Sequence, residues 1–582
     1  MRREGGDYND GVVASRTYTH PWSLPYTAFQ RQSETGIFAH TTSSSTDRRY
    51  SHLYRVFGDI PFSTWQLPFL GYELVFGRVD KLSLLFGLIF TLATFYVVIY
   101  ALHVKSSSEH MSQFIYVGSA LGAVFAGDLI TLYIFWEIMA LASMIIIWHG
   151  RTDNAHRAGF RYIMWHIAGG IILLAGIIMY IADTGSIAFN ALTWGPGDAY
   201  LPSLLIFIGF ILNAAVPPLH AWLPDAYPEA TFAGTIFLTI FTTKTAVYVL
   251  ARGFAGFEVL IWLGAIMTVY PIFFAVLAND LRRVLSYSLI NQVGFMLCGI
   301  GIGTALSLNG AVSHAFANII FEGLLFMCVG SVLFRTGTSR CTDLGGLYKT
   351  MPLTTIFTFV GAASISAFPF FAGFVTKSMV VSAAAAGNMA LVWVLLQLAS
   401  AGVFHHAGIK VPFFTFFAKD SGLRAKDPPV NMLVGMGIAA FLSIYIGVSP
   451  NSLYNFLPYA VDFAPYTAPH MISQLQLLLF ASLAFFILIT SGLYPPEQRK
   501  IILDTDWPLR VAAGKVMWFI EDPLMSFAAW VDGGLKRIAA DFAFFGQEKE
   551  ERVLIGISVM LALLFLALYL IVQLVYKLIF SG

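Results

Sequence analysis

Residues 129–149 read LITLYIFWEIMALASMIIIWH, an unbroken apolar run with one carboxylate, Glu137, near its middle. A helix that crosses a hydrocarbon core about 30 Å thick needs roughly 20 such residues. Runs of the same kind follow one another on both sides. We read fourteen spans: 81–104, 111–127, 129–149, 158–182, 201–217, 229–251, 257–278, 282–303, 307–334, 352–382, 388–416, 429–448, 470–492 and 552–579. The composition agrees, since 57% of the 582 residues are hydrophobic and 12% are charged. A soluble chain carries about 25% charged residues, and half of that cannot cover a water-facing surface. The expected fold is therefore an all-α polytopic membrane protein lying in a lipid bilayer.

Charge sets the expected orientation. Lys105, Arg151, Arg157, Arg161, Arg282, Arg283, Arg335, Arg340, Lys349, Lys419, Arg424, Lys426, Arg499 and Lys500 fall on one side of this arrangement. The opposite loops 183–200, 301–308, 383–387 and 449–469 carry no Lys or Arg, and 252–256 carries only Arg252. Basic loops stay cytoplasmic, so this side is expected to face the cytoplasm. Residues 1–52 are polar and read as a disordered tail. Residues 493–551 mix Trp507, Trp518 and Trp530 with Lys515, Lys536 and Arg537, the pattern of an amphipathic segment lying on the cytoplasmic face. A plain linker before the last span is the alternative.

Other chemistries find no support. A net charge of +1 offers no basic surface for nucleic acid. Cys298, Cys328 and Cys341 lack metal-ligand or disulfide-framework spacing, and no phosphate-binding glycine motif occurs. We expect no cofactor, no metal and no catalytic residue on this chain.

Charged groups at membrane depth are costly, at least about 2.5–3.5 kcal/mol on insertion scales, and so mark function by default. Glu137 and Lys244 sit mid-span. Glu322 follows His314 by eight residues, on roughly one helix face. Lys377 lies within SISAFPFFAGFVTKSM (364–379), after its Pro369 break, and His405, His406 and Lys410 occur together in the eleventh span. Static ion pairs pinning helices together would be the plainer explanation of any one of them. Two spans look interrupted, one at Pro217 and Pro218 and one at Pro369 with Gly373. Each break falls in the fourth of five spans, 111–251 and 257–416, the matched placement of transporters built from inverted repeats. The span 81–104 precedes these repeats and two spans within 429–492 follow.

WE within 129–149, PPLHAWLPDAYPEAT (217–231), FTTKTAVY (241–248), NDLRRVLSYSLINQVGFM (279–296) and FPFFAGFVTKS (368–378) resemble the antiporter-like subunits of Mrp-type cation/proton antiporters and of respiratory complex I, with the D-type subunit of the Mrp assemblies the nearest in pattern. The resemblance runs over roughly 60–500. It implies two inverted five-helix repeats, each with a broken helix, and a polar axis across the membrane. By the family pattern Glu137, Lys244, His314 and Lys377 are ion-handling residues, and Glu322 stands where the pattern has lysine. Asn318 replaces a second histidine, and Asn213 replaces a lysine on the first broken helix. The implied function is proton movement in exchange for Na+ or another monovalent cation such as K+, alongside other antiporter-like subunits. Two alternatives remain: a proton-pumping arm subunit of a complex I-like quinone reductase, or a non-conducting structural subunit.

Overall fold

The computed structural model describes residues 65–69, 71–192, 200–499, 502–508 and 511–512. The expected tail 1–52, the span 552–579 and most of the amphipathic segment 493–551 lie outside the described residues. The chain divides into two units, Met1–Thr505 and Asp506–Gly582, and the elements named here all lie in the first.

A short hairpin opens the described chain, β1 (Gln66–Phe69) paired antiparallel with β2 (Tyr72–Val75), an element the hydropathy reading did not contain. Helix α1 (Lys81–Ala101) follows, its first turn closed by a capping box between Asp80 and Ser83. Next come α2 (Ser107–Phe125), α3 (Leu129–Trp148), α4 (Asp153–Thr184) and the half-length α5 (Tyr200–Asn213). After a break lie the short α6 (Trp222–Ala226), then α7 (Gly234–Ile240) and α8 (Thr242–Gly253). The pattern then starts again with α9 (Val259–Leu277), α10 (Leu281–Ile302), α11 (Ala305–Thr336), α12 (Pro352–Ile365) and α13 (Ala372–Ala386). Helix α14 (Ala390–Val403) runs on into π-helical turns at Phe404–Lys410 and Phe413–Phe417. Helices α15 (Val430–Val448), α16 (Asn451–Tyr454) and α17 (Ala468–Thr490) complete the unit. Among the described residues, ten helical stretches are long and apolar enough to span a membrane.

The second series repeats the first at an offset of 152 residues. Helices α2, α4 and α5 begin at 107, 153 and 200, and α9, α11 and α12 begin at 259, 305 and 352. The capping chemistry repeats with them. Asp128 and Asp280 cap α3 and α10, Thr152 and Thr304 cap α4 and α11, and Gly185 and Gly337 end those long helices in the left-handed conformation. Isolated bridges Asp128–Ala188 and Asp280–Arg340 stand at the same offset.

Both broken helices also end alike. After α5 the amide of Ala215 donates to Leu212 and that of Val216 to Ile211, at 3.0 and 3.1 Å; after α12 Ala367 donates to Ser364 and Phe368 to Ala363, at 3.0 and 2.9 Å. This is the 6→1, 5→2 helix stop usually built on glycine. Here alanines occupy it, Ala215 at φ 58° and Ala367 at φ 56°. The left-handed conformation costs an alanine about 1–2 kcal/mol, and such strain clusters at functional sites. Pro217 and Pro369 follow two residues later, where a missing N–H prevents the helix from resuming.

Two expected spans are corrected. The stretch 352–382 is not one interrupted helix but two half-helices, α12 and α13, separated by 366–371. The helix predicted over 201–217 ends at Asn213, because the stop comes before the prolines rather than at them. Burial orders the unit from centre to rim. The window within 234–253 is wholly buried and those of α10 and α11 are 94% buried, whereas that of α17 is 11% buried. Lys244 and Glu322 lie on these most buried helices.

Candidate functional site: a buried line of ionisable side chains

Helices α8, α11 and α13 bring Lys244, Glu322 and Lys377 together. Between α7 and α8 the helix is irregular at Phe241, which frees the carbonyl of Thr239. Lys244 Nζ donates to that carbonyl at 2.9 Å, and Tyr116 of α2 accepts from the amide of Thr242 at 3.0 Å. Glu322 lies within charge-interaction range of both Lys244 and Lys377. Its Oε2 accepts from the Asn318 amide at 2.7 Å, while Oε1 has no hydrogen-bond partner among the described residues.

One turn beyond Asn318 on α11, His314 bridges to neighbouring helices. Its Nδ1 is 3.1 Å from Thr376 Oγ1 on α13, and its Nε2 is 3.0 Å from Gln292 Oε1 on α10. Lys377, beside Thr376, donates to the carbonyl of Ile365 at 3.0 Å and stands 4.8 Å from the centre of the Phe295 ring. A cation over an aromatic face and at a helix C-terminus is favoured in both positions. The half-helices meet closely because of Gly373, where an added Cβ would lie 1.8 Å from the Ser364 carbonyl oxygen. All of these residues are at most 2% exposed. Buried charges are tolerated when paired and hydrogen-bonded, and this line combines one acid, two amines, an imidazole and amides.

The other expected site residues lie elsewhere. Glu137 is half-buried on α3, against α4: a Cβ added at Gly170 would sit 2.1 Å from Glu137 Oε1. No described hydrogen bond or ion pair joins Glu137 to Lys244. Asn213 ends α5 with neither amide atom partnered among the described residues. His406 is buried with both ring nitrogens likewise unpartnered, and His405 turns to the rings of Phe485 and Tyr494, 5.2 and 5.7 Å away. Lys410 caps the end of α9 through the carbonyls of Val276 and Ala278, at 2.6 and 2.7 Å, and pairs with Glu497 at 2.8 Å.

Sequence reasoning missed three features. A strap after α17 inserts Glu497 and Asp504 into the helical body. Asp504 accepts from His220 Nε2 at 3.1 Å, from the Tyr287 hydroxyl at 2.9 Å and from Tyr270. Burial works to raise the Asp504 carboxyl, but the bonds and charge of His220 and the Tyr270 hydroxyl outweigh it and hold it at about 2. The third is His166 on α4, 2% exposed with both ring nitrogens unpartnered among the described residues. It is a polar residue within a span, and the search for intramembrane ionisable groups that found Glu137 reaches it too.

A multi-pass helical membrane protein with a buried ionisable line is thus defined. Residues 126–402, a little under half of the chain, match the family model described as NADH:quinone oxidoreductase/Mrp antiporter, transmembrane. The chain is 28% identical over 423 residues to the A-type subunit of the Na(+)/H(+) antiporter of Alkalihalophilus pseudofirmus, covering 64% of this chain and 52% of that protein. The chain spans about half the length of the curated relatives it matches, and these are of the A type rather than the expected D type. A chain in the structure of the Mrp complex from Dietzia sp. shares the fold with a TM-score of 0.63 and 20% identity, covering 72% of this chain and 89% of that one. A chain of the membrane-bound sulfane sulfur reductase, an archaeal respiratory membrane complex, does so with a TM-score of 0.64 and 24% identity, covering 89% and 94%.

Proposed function

We propose that this chain is the ion-translocating subunit of a multisubunit monovalent cation/proton antiporter, working beside other antiporter-like subunits in a bacterial cytoplasmic membrane with its basic loops inward. The observation that carries this reading is the line Lys244–Glu322–Asn318–His314–Thr376–Lys377, buried where apolar packing would cost less. Burial disfavours the charged form of an amine and a nearby carboxylate favours it, so a proton or cation arriving at one lysine changes the hold of Glu322 on the other. Coupled groups of this kind titrate as a set. Glu137 and the first break serve one end of the path, Lys377 and the second break the other.

A second reading has its own support. The respiratory membrane complex named above matches most of both chains in fold, which favours a proton-pumping arm subunit of a redox assembly. Companion subunits in the purified assembly decide between the two. The test of translocation is Na+-driven proton movement in vesicles holding the intact assembly, with Lys244→Ala and Glu137→Ala variants. Both should lose flux, and normal flux in either would end the proposal.

A further inference from the structure

The 152-residue offset carries an equivalence between the two long helices. On α11 the residues His314, Asn318 and Glu322 occupy one face, and their counterparts on α4 are Tyr162, His166 and Gly170. At the third position the second repeat has its own carboxylate. The first repeat has bare backbone there, and the Glu137 carboxylate reaches that space from α3, its Oε1 2.1 Å from where a Cβ at 170 would stand. One turn away Asn318 donates to Glu322 at 2.7 Å, and His166 stands one turn before Gly170, the position that Glu137 faces.

His166 is not explained by packing. Its ring lies 4.0 Å from that of Tyr162 and 4.7 Å from that of Trp222, which hold it in place. The Tyr162 hydroxyl is engaged by Ser143 at 2.8 Å. Neither imidazole nitrogen has a partner among the described residues, and neither does Glu137 Oε1 or the amide of Asn213 at the nearby break. Leaving buried polar atoms unpaired is costly, and a position that only filled space would be served by an apolar side chain.

We propose that His166 is the proton-handling partner of Glu137, the first-repeat counterpart of Asn318 beside Glu322. The inference rests on the translocation reading above. The proton leaves the Glu137 carboxyl, directly or through one water, for the unprotonated ring nitrogen, giving carboxylate and imidazolium. Loss of the proton on the second nitrogen to water at the break then returns the ring to neutrality. One proton enters and one leaves, with no other reactant. Tyr133 lies within charge-interaction range of Glu137, and Tyr162 lies against the His166 ring.

The test is His166→Asn, which installs the residue that the second repeat carries at this station. In vesicles of the intact assembly it should melt as the unaltered protein does and lose Na+-driven proton flux at least tenfold. The infrared carboxyl band of Glu137, assigned by Glu137→Gln difference spectra, should shift. Unchanged flux overturns the proposal, and so does lost flux with an unmoved band, which places His166 outside the Glu137 site. If His166→Asn does not assemble, His166→Gln supplies the same outcomes. Lys244→Ala in parallel separates the two levels: if it keeps full flux the translocation reading fails, and if it alone loses flux only the role of His166 fails.

Discussion

Lys377 Nζ donates at 3.0 Å to the carbonyl of Ile365, the last residue of the half-helix α12. The cation thus satisfies a helix end that the break leaves open, and holds its charge beside Phe295 and within range of Glu322. Replacing it by alanine leaves the buried acid facing one lysine fewer. Removing one partner of a buried pair costs ~3–5 kcal/mol, so Lys377→Ala should lower the melting temperature of the assembly. Lys377→Arg should restore stability without restoring flux, since a guanidinium keeps its proton.

Gly373 lets the second half-helix cross the first. A methyl group there meets the Ser364 carbonyl oxygen at 1.8 Å, whereas at Gly387 the nearest atom is 3.4 Å away. Gly373→Ala should therefore cost at least ~1–3 kcal/mol and reduce assembled protein, with Gly387→Ala close to neutral. Yield and melting temperature of the two variants check this.

The Asp504 tether is pH-dependent in a defined direction. Its carboxyl is held at about 2 in the folded chain, below the usual carboxylate value near 3.8. The group therefore stabilises the folded state above about pH 4, and that contribution is lost as pH falls toward 2. The melting-temperature difference between the unaltered protein and Asp504→Asn should be level above pH 4 and shrink below it.

Lys410 and Glu497 make a buried ion pair between the π-helical turn and the strap. Lys410→Ala alone strands a carboxylate and should cost ~3–5 kcal/mol, while Lys410→Met with Glu497→Leu should be neutral or stabilising. Thermal unfolding of the single and double variants reads the difference.

How much of this could be read in the sequence follows from what is local. Span lengths come from composition, and the stops near Pro217 and Pro369 from residues that cannot continue a helix. The prolines marked the breaks without locating them, because the stops are set by Ala215 and Ala367, whose left-handed backbone no residue preference announces. The line on α11 was legible because His314, Asn318 and Glu322 are spaced by single turns. The tether was not: His220 and Asp504 are 284 residues apart, and a contact at that separation leaves no periodic trace. Glu137 read as part of the line, yet the fold sets it against Gly170, since α3 faces α4 there.

On the translocation proposal, the two lysines flanking Glu322 act as one path. Proton flux driven by Na+ should be measured in vesicles of the intact assembly carrying Lys244→Ala, Lys377→Ala or both. Either single variant should bring flux to background, with the double variant no lower. Flux in either single variant equal to that of the unaltered assembly would contradict the account.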